Sequence, residues 1–324
     1  MIPLAPWQLD RYRRAQASLD AGRLAHALLL LGAAGLGKRA VAAALAARLL
    51  CQAPRDGLAC DSCRTCLLRL AGNHPDLRLV TFGLRDDGKP RTEIVVDQIR
   101  ELAEALSMTP QLGAASVVVI DPADAMNTSA ANALLKTLEE PQPGRYLLLV
   151  SDRPSRLPAT IRSRCQRLEF APPPRAEARA WLAAQGIAAA DAGEALALAD
   201  GNPGLAQALL DEDALRVHAS VAADLGTLAS GASSPFAIAR DWLADAPDRR
   251  LHYAVDLVRR LGWQAAGATA PCSPVLPGLT ASADFSKLAG WFDTALRTRE
   301  LLRGPVRPEL ALGELLLAWR EAVR

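Results

Sequence analysis

The chain has 324 residues, about two or three times the usual length of one domain. Its 37 Lys and Arg residues nearly balance 35 Asp and Glu residues, so the net charge of +2 excludes a global field that could hold nucleic acid or an anionic membrane. Half of the residues are hydrophobic and only 4% are aromatic, which excludes disordered, collagen-like and disulfide-scaffold proteins and favours helices packed through small side chains.

The sequence gives no sign of a membrane or an exported protein. The longest apolar stretch, Ala27–Gly37, is shorter than the roughly 20 residues that a membrane-spanning helix needs. Residues 1–11 lack the basic and then apolar layout of a signal peptide. We therefore expect a cytoplasmic protein without a membrane partner.

Strand and helix patterns alternate along the first half of the chain. Leu24–Leu31 predicts a strand, and Lys38–Leu50 predicts an alanine- and leucine-rich helix after a glycine-rich turn. The consecutive valines in Ser116–Ile120 predict a strand buried on both faces, and Tyr146–Val150 predicts another strand. Between them, Asn127–Glu140 predicts a helix that ends before Pro141. This alternation predicts a parallel, doubly wound sheet.

A proline run at Ala171–Pro174 marks the predicted end of this first domain. We predict an α/β protein followed by all-α domains: residues 1–170 form an α/β domain, 171–210 form a small helical domain, and 211–324 form a larger helical domain. Four tryptophans are the expected packing anchors of the last domain: Trp242, Trp263, Trp291 and Trp319.

The glycine-rich turn has the G-x-x-x-x-G-K spacing of a phosphate-binding loop. Its key residues are Gly32, Gly35, Gly37 and Lys38. Between a strand and a helix, such glycines turn backbone N–H groups toward a phosphate, and the lysine reaches the terminal phosphates. However, Arg39 stands where a Ser or Thr would bind magnesium. The alternative is a turn that only lets the helix pack on its strand.

Asp121 follows the valine-rich strand, where a carboxylate that orients magnesium is expected. The next residue is Pro122, whereas an ATPase of this architecture uses an acid there to polarise the attacking water. Arg39 and Pro122 together indicate a nucleotide-type site that has lost hydrolysis. An equally open alternative makes Asp121 a strand-end residue that caps the following turn.

Four cysteines in an insertion at about residues 51–75 predict a metal site. They are Cys51, Cys60, Cys63 and Cys66. Four thiolates satisfy the tetrahedral coordination of zinc and leave no position for a substrate, so we expect a structural zinc ion. A redox or incidental cluster is the alternative, and disulfides are disfavoured in a cytosolic chain.

A basic segment, Thr160–Cys165, follows the last strand and contains Arg162 and Arg164. An arginine at the edge of such a domain can reach the nucleotide of a neighbouring subunit and stabilise the charge of phosphoryl transfer. On spacing alone, a solvated basic loop is the favoured alternative.

These elements, in this order, resemble the delta prime family of AAA+ subunits in bacterial DNA polymerase III clamp loaders. The resemblance rests on the phosphate-type loop with Arg23–Ala27 before it, on the cysteine insertion, and on Asn73–Asp76, Asn132–Pro141 and Ser163–Cys165. It covers the first half of the chain, and the helical half matches only in length and character.

The resemblance implies an AAA+ domain, a helical lid and a helical collar in a pentameric hetero-oligomer. The implied partners are the gamma or tau motor subunits and the delta subunit, with the sliding clamp and primed DNA contacted through the complex. It also implies that Arg164 reaches the ATP site of the adjacent motor subunit. Pro122, and a Gly201–Gly204 lid segment without arginine, depart from the motor-subunit pattern.

The predicted function is a non-hydrolysing, or stator, subunit of the clamp loader, part of the replicative DNA polymerase III holoenzyme. It would hold structural zinc and bind ATP weakly without turnover. Two alternatives come from other classes. One is an active AAA+ ATPase in which another acid, such as Asp124, activates water, and the other is a zinc-dependent nucleic-acid-binding module with Arg64 and Arg69.

Overall fold

The computed structural model describes residues 4–85, 88–113, 115–211, 214–267, 284–302 and 306–323. The chain divides into two compact units, Met1–Gly186 with Gly201–Leu205, and Ile187–Asp200 with Ala206–Arg324. This division differs from the predicted boundary after Phe170, because the helix at Arg175–Ala184 belongs to the first unit. Trp181 of that helix packs edge-on against Trp7 at 5.5 Å between ring centroids. The division into three domains stays a prediction.

The first unit contains a five-stranded sheet. Its strands are β1 (Ala27–Leu31), β2 (Leu77–Val80), β3 (Ser116–Ile120), β4 (Arg145–Ser151) and β5 (Gln166–Glu169). They lie in the order β2-β3-β4-β1-β5, and every pairing is parallel. The predicted parallel sheet is therefore confirmed.

Helices cover both faces of this sheet. In chain order, the helices of the unit are α1 (Pro6–Asp20), α2 (Lys38–Leu50), α3 (Arg64–Leu70), α4 (Val96–Ser107), α5 (Thr128–Glu139), α6 (Ala159–Arg164) and α7 (Arg175–Ala184). Along β3, Val117 and Val119 pack with α1 and α2, whereas Val118 and Ile120 pack with α4 and α5. Successive side chains of a strand point to opposite faces, so a strand between two helical layers is apolar throughout.

The predicted helices of this unit have clear local causes. The helix α2 has the bounds predicted for it, and α5 begins one residue after Asn127, whose side-chain oxygen accepts a hydrogen bond from the N–H of Ala130 at 2.9 Å. The helix α5 ends before Pro141, which cannot continue a helix.

The second unit is helical. Its helices are α8 (Ala189–Leu198), α9 (Pro203–Asp211), α10 (Ala214–Ser230), α11 (Pro235–Ala244), α12 (Pro247–Ala265), α13 (Phe285–Leu301) and α14 (Pro308–Ala322), of which α9 has its first three residues in the first unit. Trp242, Trp291 and Trp319 are buried in one apolar core, as predicted. Trp263 is not an anchor of that core: it is 39% exposed, and the Arg259 guanidinium lies 4.4 Å from its ring centroid. At the surface, an indole ring can contact both water and the guanidinium cation.

The predicted fold class, an α/β sheet domain followed by helices, is confirmed. Among the described residues, every helix is too short or too polar to cross a bilayer.

Candidate functional site

Three loops converge at the carboxyl edge of the sheet. The glycine-rich loop follows β1, Asp121 follows β3, and Asp152 follows Ser151, the last residue of β4, which lies between β1 and β3. Parallel strands place all their carboxyl ends at one edge, which is where this class of sheet binds its ligands. The topology therefore brings together residues that are more than 100 positions apart in the sequence.

The glycine-rich loop has the backbone of a phosphate-type loop. Gly35 and Gly37 both have φ of +82°, in the left-handed region that favours glycine, and α2 begins directly after Gly37. A Cβ at Gly37 would overlap the side chain of Gln8. The predicted strand, loop and helix are thus present, and the backbone conformation at Gly35 and Gly37 explains why both residues are glycine.

Lys38 is engaged inside the loop. Its ammonium donates to the carbonyl oxygens of Gly32 at 2.7 Å and Ala33 at 2.6 Å, and it forms an ion pair with the Asp152 carboxylate at 2.6 Å. The Lys38 side chain is only 2% exposed. An ammonium has three N–H groups, and here three oxygen atoms surround it.

Arg39 is paired with the carboxylate that the sequence assigned to magnesium. Its Nε lies 2.6 Å from Asp121, and one of its terminal nitrogens lies 3.5 Å from Asp152. The hydrogen bond to Asp121 raises the pKa of Arg39 above its usual value. A cation and its counter-ion therefore occupy the place where a hydroxyl and a metal would be needed, and these residues do not fit a magnesium nucleotide.

Asn202, which the sequence analysis noted only as part of a segment without arginine, lies on the loop. Its Nδ2 donates to the carbonyl of Ala34 at 2.6 Å, while its Oδ1 accepts from the N–H of Leu205 at 3.2 Å. A Cβ at Gly204 would overlap the carbonyl oxygen of Gly35, so the two backbones touch. On another side, Trp7 Nε1 donates to the carbonyl of Leu36 at 3.1 Å.

Asp124 has no freedom to act as a base for water. Its Oδ1 accepts from the Ser151 hydroxyl at 2.8 Å and from the N–H of Asp152 at 3.0 Å, and its side chain is 1% exposed. Burial alone would raise the pKa of Asp124, but these hydrogen bonds outweigh it and lower the pKa below its usual value. Its geometry is that of a structural carboxylate that fixes the end of β4.

The four predicted cysteines form one cluster. Their sulfur atoms all lie within 4.8 Å of one another, and the Cys51 sulfur lies 3.5 Å from that of Cys60 and 3.9 Å from that of Cys63. A zinc–sulfur bond of about 2.3 Å in tetrahedral geometry requires sulfurs roughly 3.8 Å apart, so the residues fit such an ion. All four are free thiols without disulfide geometry.

Hydrogen bonds to sulfur prepare this cluster for a cation. The N–H of Cys60 donates to the Cys51 sulfur and the N–H of Cys63 donates to the Cys60 sulfur, both at 3.3 Å. The Thr65 hydroxyl lies 3.2 Å from the Cys63 sulfur. Such bonds favour the thiolate, which is the form that binds metal.

Arg164 lies apart from the cleft, at the last position of α6. One terminal nitrogen donates to the carbonyl of Thr160 at 3.1 Å, and the other lies 2.6 Å from the Glu139 carboxylate. The Arg164 side chain is 36% exposed. The arginine is thus presented at the surface in a defined orientation.

The parallel sheet order, with a phosphate-type loop after β1 and an acidic residue after β3, defines a P-loop-type α/β protein in which Arg39 and Asp121 form an ion pair beside the loop. The family model for DNA polymerase III, delta subunit, matches residues 7–174. The chain belongs to this family.

Individual relatives agree with this assignment. DNA polymerase III subunit delta' of Pseudomonas aeruginosa is 41% identical over 246 residues, which are 75% of this chain and 72% of that protein. The delta' subunit of Yersinia pestis is 32% identical over 98% of this chain and 96% of its own length. DNA polymerase III subunit gamma of Buchnera aphidicola is 35% identical over 147 residues, 45% of this chain and 38% of that protein.

Proposed function

We propose that the protein is the non-hydrolysing stator of a replicative sliding-clamp loader and supplies Arg164 to the ATP site of a neighbouring subunit. The observation that carries this proposal is an asymmetry between two places in the first unit. In the cleft, the buried Lys38 pairs with Asp152, and Arg39 pairs with Asp121 where a magnesium-binding hydroxyl would be needed. Arg164 instead lies at the surface, 36% exposed and paired with the half-exposed Glu139.

Three features of the cleft argue against hydrolysis by this chain. A cation replaces the hydroxyl at position 39, Pro122 replaces the acid after the strand, and Asp124 is committed to Ser151 and the backbone. Phosphoryl transfer needs a metal ion and a group that orients the nucleophile. Among the described residues, the acids considered for these roles are engaged, Asp121 by Arg39 and Asp124 by Ser151. The active-ATPase alternative therefore has less support, because Asp124 was its candidate base.

We also propose that the cysteine cluster holds structural zinc. All four ligand positions would be filled by the chain, so the ion would fix the insertion and would not take part in chemistry. The nucleic-acid-binding alternative has less support, because Arg69 is paired with Asp61 at 2.7 Å.

The proposed partners follow from family membership. They are the gamma or tau motor subunits and the delta subunit in a pentamer, and through that complex the sliding clamp and primed DNA. The helical second unit, with its own tryptophan-rich core, is the proposed collar through which the subunits assemble.

The function is tested in two assays. The purified chain alone should show no ATP turnover above the level of a Lys38→Ala variant. In a reconstituted loader, Arg164→Ala should lower DNA-stimulated ATP hydrolysis at the served site by about 10³-fold or more and abolish most clamp loading. Arg162→Ala, which removes a cation from the same helix, is the matched control and should change little.

Either assay can contradict the proposal. Steady turnover by the isolated chain that Lys38→Ala abolishes would make it a motor. Unchanged loading by Arg164→Ala, or an equal loss with Arg162→Ala, would remove the specific role of Arg164.

A further inference from the structure

The three oxygen atoms around Lys38 belong to the chain itself. In a phosphate-binding loop, the lysine spends its N–H groups on the terminal phosphates of the nucleotide. Here they face the carbonyls of Gly32 and Ala33 and the carboxylate of Asp152, all within 2.7 Å of the ammonium nitrogen. A phosphate could reach Lys38 only by displacing one of these oxygens.

Asp152 is held at this position by the fold. It follows the end of β4, which lies between β1 and β3, and its N–H donates to the buried Asp124 carboxylate at 3.0 Å. The Ser151 hydroxyl donates to the same Asp124 oxygen at 2.8 Å. The backbone under Asp152 is therefore fixed, and the side chain is directed at Lys38.

The charges in the cleft also balance without a ligand. Lys38 and Arg39 are two cations, and Asp121 and Asp152 are two carboxylates, with ion pairs of 2.6 Å between Lys38 and Asp152 and between Arg39 and Asp121. The Asp152 carboxylate also lies 3.5 Å from Arg39, so it serves both cations. A polyphosphate would enter a neutral cleft, beside two carboxylates that repel it.

We propose that Asp152 is an internal anion that takes the place of a nucleotide phosphate and keeps the cleft closed to polyphosphates. This role of Asp152 rests on the non-hydrolysing function proposed above. With Asp152 in the place of a phosphate, the cleft resembles a nucleotide-bound site without requiring a nucleotide. Lys38 is almost fully buried, so a phosphate could pair with it only by displacing Asp152 from the 2.6 Å ion pair, which would leave that carboxylate beside the bound anion. The Asn202 contact with the carbonyl of Ala34 secures the same loop from another side.

The test is a set of calorimetric titrations of the full chain with ATP, with and without magnesium, and with inorganic tripolyphosphate. The wild-type chain should bind neither ligand with micromolar affinity. Asp152→Asn keeps the size of the side chain and removes its charge, so its Kd for both ligands should fall about tenfold or more below that of the wild type. Adding Lys38→Met to Asp152→Asn should abolish the gained binding.

The matched control is Asp97→Asn, which removes an exposed carboxylate paired with Arg100 on α4 and should bind as weakly as the wild type. Equal affinity of Asp152→Asn and wild type would overturn the proposal, and so would micromolar binding by the wild type. Asp152→Ser repeats the test if Asp152→Asn does not fold, and the wild-type titration needs no variant. Tight binding without turnover contradicts this inference alone, whereas turnover contradicts the stator function.

Discussion

The guanidinium of Arg164 is tethered to Glu139, the last residue of α5, by an ion pair of 2.6 Å. Both side chains are partly exposed, at 36% for Arg164 and 48% for Glu139, so water screens the pair. Ion pairs in such surroundings contribute at most about 1 kcal/mol. Glu139 can therefore orient the arginine and still release it to a stronger anion.

The tether predicts a mild phenotype for Glu139→Gln. The variant removes an ion pair that contributes less than about 1 kcal/mol. The fraction of molecules in which Arg164 is free to contact a neighbouring nucleotide should therefore rise by no more than about fivefold. We expect near-wild-type stability in urea and a modest decrease in the apparent KM for ATP of the reconstituted loader. Glu140→Gln, at the adjacent position, is the control. A loss of loading as large as that of Arg164→Ala would show that Glu139 itself is required.

The cysteine cluster predicts one tightly bound zinc ion per chain. Cys60→Ser should lower the zinc content measured by mass spectrometry and make the insertion between Cys51 and Asp76 sensitive to proteases, because the cluster links α2 to α3. The control is Cys165→Ala, since Cys165 is buried in the sheet core and burial raises its pKa to about 11. Full zinc content in Cys60→Ser would remove this cysteine from the ligand set.

Asp76 predicts a stability defect that the motif alone did not explain. Its two carboxylate oxygens accept from the N–H of Gln111 at 2.7 Å and from the N–H of Leu112 at 2.9 Å, and the residue is 5% exposed. Asp76→Asn replaces one acceptor by an N–H donor, so one of these two charge-assisted hydrogen bonds is lost and the new donor inside the protein faces a backbone N–H. The free energy of unfolding should fall by about 1–3 kcal/mol in urea titrations.

Asp97→Asn, at an exposed position, is the comparison for Asp76→Asn. Its free energy of unfolding should fall by less than about 0.5 kcal/mol. Equal stability of the two variants would mean that the backbone at Gln111 and Leu112 finds other partners.

Local patterns in the sequence predicted the elements that have local causes. The valine run of β3 and the turn before Lys38 are read from neighbouring residues, as is the cysteine spacing, and the structure has each of them where it was predicted. Residue types alone also identified the missing hydroxyl at Arg39 and the missing acid at Pro122.

Contacts between distant residues could not be predicted in this way. Asn202 and Ala34 are 168 positions apart, and no periodicity links them. The sequence analysis did not identify Asp152 as a partner of Lys38, because an Asp at the end of a strand can have many roles. Only the sheet order shows that β4 lies between β1 and β3, and therefore that Asp152 lies near the loop and Asp121. Trp263 was misassigned because a helical tryptophan can face either the core or an arginine at the surface.

His218 predicts that the helical unit loses stability in mild acid. Burial, with the Arg260 charge as a second cause, lowers the pKa of His218 from 6.5 to about 4, and the opposing Asp256 charge does not compensate. Its Nδ1 lies 4.0 Å from a Glu194 carboxylate oxygen, and its ring packs edge-on against Tyr253. The native state therefore holds this imidazole neutral at pH values where the unfolded chain protonates it.

This difference in protonation sets the direction in which stability changes with pH. Between pH 6.5 and about 4 the unfolded state binds one proton more at this position, so the free energy of unfolding falls by up to about 1.4 kcal/mol per pH unit as the pH decreases. His218→Leu removes the titration, and urea unfolding from pH 7 to 4.5 should show a shallower loss than the wild type. His252→Gln, at an exposed histidine of α12, is the control substitution. The wild type and the two variants contain the same carboxylates. Identical slopes for the wild type and His218→Leu would therefore contradict a buried neutral His218.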